Sequence, residues 1–130
     1  MDTQSNSINW FEIPATDINR AKTFYETIFN IEMQVQEMTE MGMTMANFPY
    51  EMGSGKATGA VVQSQMHQPA TEGGPVLYLN ASPSIDAVIE RIENAGGQIA
   101  MPKTKINDEI GYMAFFVDSE GNKMALHLPS

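Results

Sequence analysis

Cysteine is absent from this chain of 130 residues. Disulfides, cysteine-ligated zinc, iron–sulfur clusters and cysteine nucleophiles are therefore excluded. Basic residues are also scarce, because 7 Lys and Arg stand against 16 Asp and Glu and leave a formal net charge of −9. Nucleic acids and anionic lipids repel a chain this acidic, so we expect neither a nucleic-acid partner nor a membrane partner.

Long apolar runs are missing as well, since no segment approaches the roughly 20 apolar residues of a membrane-spanning helix. Residues 1–7 are polar and lack the basic start and apolar stretch of a signal peptide. We therefore expect a cytoplasmic protein. Hydrophobic residues still make up 42% of the chain, which is enough for the packed core of a single domain over residues 1–130.

The predicted elements occur in the same order twice, once in each half of the chain. Alternation of apolar and polar residues predicts the first two strands, and short segments between turn signals predict the others, four in each half. These strands cover residues 8–13, 31–38, 43–48 and 58–63, and then 76–80, 98–101, 111–117 and 123–128. A helix follows a capping residue in each half, Asp17 in the first and Ser84 in the second. The first helix ends near Asn30, and Gly96-Gly97 closes the second.

This order of elements predicts an α+β fold of two modules. Module one covers about 8–64 and module two about 75–128. The segment between them, about 65–74, carries one proline and two glycines without periodicity, which is typical of a linker.

Three motifs in this chain occur in the order and spacing of a known family. They are residues 8–21 (INWFEIPATDINRA) followed by Phe24-Tyr25, then Ile85-Asp86-Ala87-Val88 with Gly96-Gly97, and finally Asp118-Ser119-Glu120-Gly121-Asn122. Together they resemble the vicinal oxygen chelate superfamily, the glyoxalase, bleomycin-resistance and extradiol-dioxygenase group. Residues 102–104 and 111–116 resemble its bacterial glyoxalase-like branch. The resemblance implies two βαβββ modules that form a concave mixed sheet around a cleft, and a homodimer.

The family's enzymes hold a divalent metal with four side chains, typically His or Glu. The resemblance places these positions on Trp10, Val76 and Ala125, and on Gly59 or Ala60. None of these side chains offers a lone pair to a metal. We therefore predict that the metal site is lost, and that the protein has no metal cofactor and no lactoylglutathione lyase activity.

The predicted ligand-binding residues alternate on strands that the resemblance assigns to the cleft. They are Trp10, Glu12, Tyr78, Met113, Phe115 and His127. The other histidine, His67, lies in the linker, where we expect it to be exposed to solvent. No catalytic residue is assigned, because no local motif for Ser/His/Asp catalysis is present.

The residues leave three functions open. The first is a small-molecule binding protein without a metal, which sequesters a drug or a metabolite. The second is an enzyme of the glyoxalase, lyase or dioxygenase type, either metal-dependent or metal-free through His127 and Glu12. The third is a partner protein whose cleft is filled by its own side chains.

Overall fold

A computed structural model describes residues 1–129, which contain eight strands, two α-helices and one short 3-10 helix. The strands are β1 (Trp10–Pro14), β2 (Gln34–Met38), β3 (Met43–Asn47), β4 (Thr58–Gln63), β5 (Tyr78–Asn80), β6 (Gln98–Asn107), β7 (Gly111–Val117) and β8 (Lys123–Leu128). The helices are α1 (Ile18–Phe29) and α2 (Ile85–Ile92), and the 3-10 helix covers Thr39–Met41. No helix within residues 1–129 is long and apolar enough to cross a membrane.

The strands form two four-stranded mixed sheets with the same topology. Their strand orders are β1-β4-β3-β2 and β5-β8-β7-β6, with β1 parallel to β4 and β5 parallel to β8. Each sheet and its helix make one βαβββ module, so the predicted α+β fold is confirmed. Because β1 and β5 stand at the edges of their sheets, each has one side without a strand partner.

One backbone hydrogen bond recurs at equivalent positions of the two modules. The N–H of Ala15 donates to the carbonyl oxygen of Val62 at 2.9 Å, and the N–H of Ala81 donates to that of His127 at 2.9 Å. Ala15 is therefore equivalent to Ala81, and Val62 to His127. Five residues before the first pair lie Trp10 and Val76, and two residues before the second pair lie Ala60 and Ala125, so these residues are equivalent as well.

Both helices begin at their predicted caps. Asp17 Oδ1 accepts from two first-turn N–H groups at 3.1 Å, and Ser84 Oγ accepts from a first-turn N–H at 3.1 Å. Helix α1 ends at Asn30, whose φ of 54° is left-handed. Helix α2 ends at Ile92, whose carbonyl oxygen accepts from the N–H of Gly97 at 2.9 Å. Local capping chemistry therefore fixes both helices.

A single hydrophobic core joins the two modules. Both helices and the inner faces of both sheets contribute large buried side chains: Ile13, Phe24, Tyr25, Ile28, Leu79, Ile85, Ile92, Phe116 and Leu126. Burial of one such side chain stabilises the fold by about 1.5–3 kcal/mol. The rings of Phe24 and Phe116, one from each module, lie 6.2 Å apart between centroids. The two modules therefore share one set of core contacts.

Strand β6 is longer than predicted, because it continues from Gln98 to Asn107 rather than ending at residue 101. Pro102 lies inside it, at a register shift between Met101 and Thr104. Proline is tolerated there because β6 is an edge strand and the shift interrupts its hydrogen-bond ladder. The prediction that the strand stops before Pro102 was therefore wrong.

Strand β2 is shorter than the predicted 31–38 because its first residues bond to α1. The N–H of Ile31 donates to the carbonyl oxygen of Glu26 at 3.1 Å, and the N–H of Met33 donates to Glu26 Oε2 at 2.9 Å. These backbone groups are satisfied by the helix, so strand pairing starts only at Gln34.

The linker is fastened to the hairpin between β7 and β8. The N–H of Ala70 donates to Asn122 Oδ1 at 3.2 Å, and the N–H of Lys123 donates to the carbonyl oxygen of Ala70 at 3.0 Å. The hydroxyl of Thr71 donates to the carbonyl oxygen of Gly121 at 2.6 Å. The linker therefore runs along the fold rather than as a free loop.

Candidate functional site

Two adjoining cavities lie between the free edges of β1 and β5. Their volumes are about 590 Å³ and about 450 Å³, and both are lined by Ile8, Phe11 and Leu77. Tyr78 lines the larger cavity and Glu12 the smaller. We call the region defined by these five residues the seam. Its cavities have the size of typical small-molecule sites.

The wall of the larger cavity is mainly apolar. Besides the shared residues it contains Phe29, Ile31, Phe48, Pro49, Val76 and Leu79, with Thr58, Asn80 and Ser82 as its polar members. A mainly apolar wall with a few polar groups is the usual composition of a pocket that binds a small organic molecule.

Trp10 and Glu12 lie on the same face of β1. They alternate with Ile13, which is buried in the core, so both side chains lie on the opposite face of the sheet. The indole N–H of Trp10 donates to Glu12 Oε2 at 3.1 Å, and Trp10 is 40% exposed. The indole thus holds the carboxylate while part of the Trp10 side chain stays accessible to solvent.

His67 is held by hydrogen bonds, so the prediction that it is a solvent-exposed loop residue was wrong. Its side chain is only 14% exposed. His67 Nε2 lies 2.8 Å from Glu12 Oε1, and His67 Nδ1 lies 2.6 Å from Ser64 Oγ. The chain turns back after β4, which brings the start of the linker over β1.

Tyr78 and Phe115 lie together on the outer face of the second sheet. Their rings meet edge to face with centroids 6.0 Å apart, and Tyr78 is 50% exposed. Met113 and His127 are register partners on the same face. His127 Nε2 donates to the carbonyl oxygen of Ile110 at 2.8 Å, so the ring is anchored at the turn between β6 and β7.

The structure thus places the predicted site residues in two groups. Trp10 and Glu12 belong to the first sheet, and the others belong to the second: Tyr78, Met113, Phe115 and His127. Glu12 and Tyr78 line the two adjoining cavities of the seam. Glu12 and His127 are not hydrogen-bonded to each other, because Glu12 bonds to His67 and His127 bonds to Ile110.

Sequence reasoning missed several residues of the site. Phe11 and Leu77 face the core by alternation, and they reach the seam only because their strands are sheet edges. Ser64 and His67 stand three residues apart at a turn, a spacing that could have suggested a local side-chain bond. Their link to Glu12 spans 55 positions and has no local signal.

Residues 7–126 match the model of a protein family described as the Glyoxalase/Bleomycin resistance protein/Dioxygenase superfamily. The chain belongs to this superfamily. The match covers module one, the linker and module two as far as Leu126 in β8, so the resemblance inferred from the three motifs is confirmed.

Two curated relatives are similar in sequence. The proteins named "Putative glyoxylase CFP32" from Mycobacterium bovis and Mycobacterium tuberculosis are each 30% identical to this chain over 122 residues. The alignment covers 91% of this chain and 44% of each relative. The chain therefore spans less than half the length of these relatives.

Solved structures of other proteins share the fold. TnmS3, an antibiotic binding protein from Streptomyces sp. CB03234, matches with a TM-score of 0.66 and 22% identity, over 99% of this chain and 100% of that one. A glyoxalase/bleomycin resistance protein from Albidiferax ferrireducens T118 matches with a TM-score of 0.64 and 21% identity, over 96% and 100%. These likenesses establish the fold alone.

The residues of this glyoxalase-superfamily chain do not fit the family's metal. The family resemblance gives the ligand positions to Trp10, Val76 and Ala125 and to Gly59 or Ala60, and the module repeat pairs Ala60 with Ala125. An indole N–H only donates, and alkyl side chains carry no lone pair. Within residues 1–129, no three His, Asp or Glu side chains come together in a group that could hold an ion.

Proposed function

We propose that the protein binds a small, mainly apolar molecule in the seam without a metal ion. The observation that carries this proposal is the cavity of about 590 Å³ with aromatic and aliphatic walls. Val76 lines this cavity and occupies the position that the family resemblance gives to a metal ligand. An apolar wall at this position binds a ligand by removing its apolar surface from water. It does not supply a metal that would chelate oxygen atoms of the ligand.

Two polar groups at the seam orient the ligand in this proposal. Tyr78 is 50% exposed and lines the larger cavity, where its hydroxyl can meet a ligand. Glu12 supplies a carboxylate at the smaller cavity. A ligand with a flat aromatic ring and a hydrogen-bond donor suits these two residues. Its ring would stack on Tyr78, and its donor would bond to the Glu12 carboxylate.

Sequestration of a drug or a metabolite is the biological form of this function that we favour. Support comes from the superfamily, whose description includes bleomycin resistance proteins, and from the shared fold with the antibiotic binding protein TnmS3. We place this activity in the cytoplasm. The net charge of −9 favours a small-molecule partner over nucleic acid or a membrane surface.

We also propose that two copies pair in solution. Strands β2 and β6 are the other edges of the two sheets and line neither seam cavity, and Val35 and Ile106 on them are 47% and 36% exposed. Pairing of copies would cover these edges and side chains. Static light scattering is expected to give twice the chain mass of 14.3 kDa. If only a species of 14.3 kDa is present at micromolar concentration, the dimer proposal is wrong. This result would not bear on ligand binding, which is tested separately.

Titration with N-phenyl-1-naphthylamine, a neutral probe whose emission rises in apolar surroundings, tests the binding proposal. The wild-type protein is expected to enhance the emission saturably. Tyr78→Ala should weaken binding about tenfold, because it removes one wall of the larger cavity. Tyr50→Ala is the matched control, because Tyr50 is similarly exposed (54%) and lines neither cavity. Equal affinities for both variants would contradict the seam as the site.

A further inference from the structure

Three side chains form a continuous chain of hydrogen bonds next to β1. Ser64 Oγ lies 2.6 Å from His67 Nδ1, and His67 Nε2 lies 2.8 Å from Glu12 Oε1. An ionised carboxylate only accepts hydrogen bonds, so the proton of the neutral ring resides on Nε2. Nδ1 is then the acceptor, and the hydroxyl of Ser64 donates to it.

This arrangement has the order of an activated nucleophile: a hydroxyl, a base and a carboxylate that orients the base. Both distances lie within the 2.6–3.2 Å that such groups require. A catalytic triad is recognised by the geometry of its residues and by the role of each one. In this protein Nδ1 of His67 faces the serine and Nε2 faces the carboxylate, which is the reverse of the common arrangement. Trp10 fixes the far end of the chain, since its indole N–H donates to Glu12 Oε2 at 3.1 Å.

Ser64 and His67 open onto a third cavity, of about 430 Å³, which lies outside the seam. Its other side chains are uncharged and mainly polar, and they include Thr16, Thr44 and Gln63. Gln63 Oε1 accepts from the N–H of Ile18 at 2.8 Å, so its amide NH₂ end is the one left to donate. An amide donor beside a nucleophile can hold the oxygen of a carbonyl substrate.

We propose that Ser64 is a base-activated nucleophile that hydrolyses small, uncharged carboxylic esters. Among the residues that the structure describes, no Asp, Glu, Lys or Arg lines this cavity, which selects for neutral substrates. This inference rests on the hydrogen bonds of Ser64, His67 and Glu12, and it does not depend on a ligand in the seam.

The reaction balances with water as the only co-reactant. Ser64 Oγ forms a bond to the ester carbonyl carbon while its proton passes to His67 Nδ1. The bond from that carbon to the leaving oxygen then breaks, and the alcohol departs with the proton. Water next attacks the acyl-serine and gives its proton to His67, which returns a proton to Ser64 Oγ as the carboxylic acid leaves. The Glu12 carboxylate stabilises the imidazolium through the Nε2 proton.

Reaction with a biotinylated fluorophosphonate, mapped by peptide mass spectrometry, tests the proposal. Such a probe phosphonylates activated serines and expels fluoride. In the wild-type protein Ser64 is expected to be labelled at least a hundredfold faster than Ser54, a serine in an exposed loop whose hydroxyl has no histidine partner. Equal labelling of Ser64 and Ser54 in the wild-type protein would overturn the proposal without recourse to any variant.

Variants then test the roles of the base and the carboxylate. His67→Ala should slow labelling of Ser64 about a hundredfold, and Glu12→Gln should slow it about tenfold. Ser54→Ala should leave the rate unchanged. Hydrolysis of 4-nitrophenyl acetate should follow the same order, with Ser64→Ala inactive in an identical preparation. If Ser64 is labelled as fast in folded His67→Ala as in the wild type, His67 is not the base that activates Ser64. Circular dichroism verifies the fold of each variant.

Discussion

The hydroxyl of Tyr25 in α1 donates to Asp118 Oδ2 in the β7–β8 turn at 2.7 Å, and both residues are buried. This bond joins module one to module two inside the shared core. Asp118 also accepts from the backbone N–H groups of Glu120 and Asn122 at 2.9 Å. The turn therefore forms one polar network with the helix that it packs against.

Tyr25→Phe should destabilise the protein by about 1.5–3 kcal/mol at pH 7, because it removes one hydrogen bond to a charged group. Chemical denaturation measures the change. Tyr50→Phe, at an exposed position, is the control and should have no effect. A Tyr25→Phe protein as stable as the wild type would contradict the importance of this bond.

The same tyrosine gives a signature at alkaline pH. Burial, followed by the charge of Asp118 and the hydrogen bond to it, raises the pKa of Tyr25 well above its ordinary value. The unfolded chain therefore loses this proton first, and the wild-type protein loses stability as the pH rises beyond about 10. Tyr25→Phe should show a smaller loss over the same pH range.

Glu120 provides a second link between the modules, with the opposite pH dependence. Its side chain is fully buried, and it accepts from Arg20 Nε at 2.6 Å and from the N–H groups of Thr16 and Asp17 at 2.8 Å. Burial raises the pKa of Glu120, but the bonds from Arg20, Asp17 and Thr16 outweigh it and hold the pKa below the ordinary value.

Glu120→Gln should therefore cost about 1–3 kcal/mol at pH 7. The stability that the lowered pKa contributes is present above the ordinary pKa of about 4.3 and is lost as the pH falls through the folded value. The difference between wild type and variant should accordingly shrink below pH 4. Glu51→Gln, at an exposed position, serves as the control for denaturation curves across this range. A difference that stays constant down to pH 2 would refute this role.

Local patterns predicted most of the fold. Strands β4, β7 and β8 have their predicted bounds because turn and loop residues mark their ends. The predicted end before Pro102 failed because tolerance of proline depends on which strand lies at the sheet edge, a property of the whole sheet. Alternation along β1 also predicted that the side chains of Trp10 and Glu12 lie on the same face of the strand. The partner of Glu12 did not, because His67 reaches it across 55 positions.

The metal prediction stays open and can be tested directly. After incubation with zinc, nickel, manganese and iron salts, followed by dialysis, elemental analysis should find no stoichiometric metal. Isomerisation of the hemithioacetal of glutathione and methylglyoxal should not exceed the uncatalysed rate. A metal-loaded glyoxalase I measured alongside provides the positive control. Stoichiometric metal that supports turnover would overturn the assignment of Trp10, Ala60, Val76 and Ala125 to the ligand positions.

Native mass spectrometry of chelator-treated protein with N-phenyl-1-naphthylamine tests metal-free binding in the seam most directly. We expect one probe molecule per chain, no metal in the complex, and reduced occupancy in Tyr78→Ala but not in Tyr50→Ala. Spectra in which the probe binds only after zinc or nickel is restored would contradict metal-free binding in the seam, and so would occupancy that is equal in the two variants.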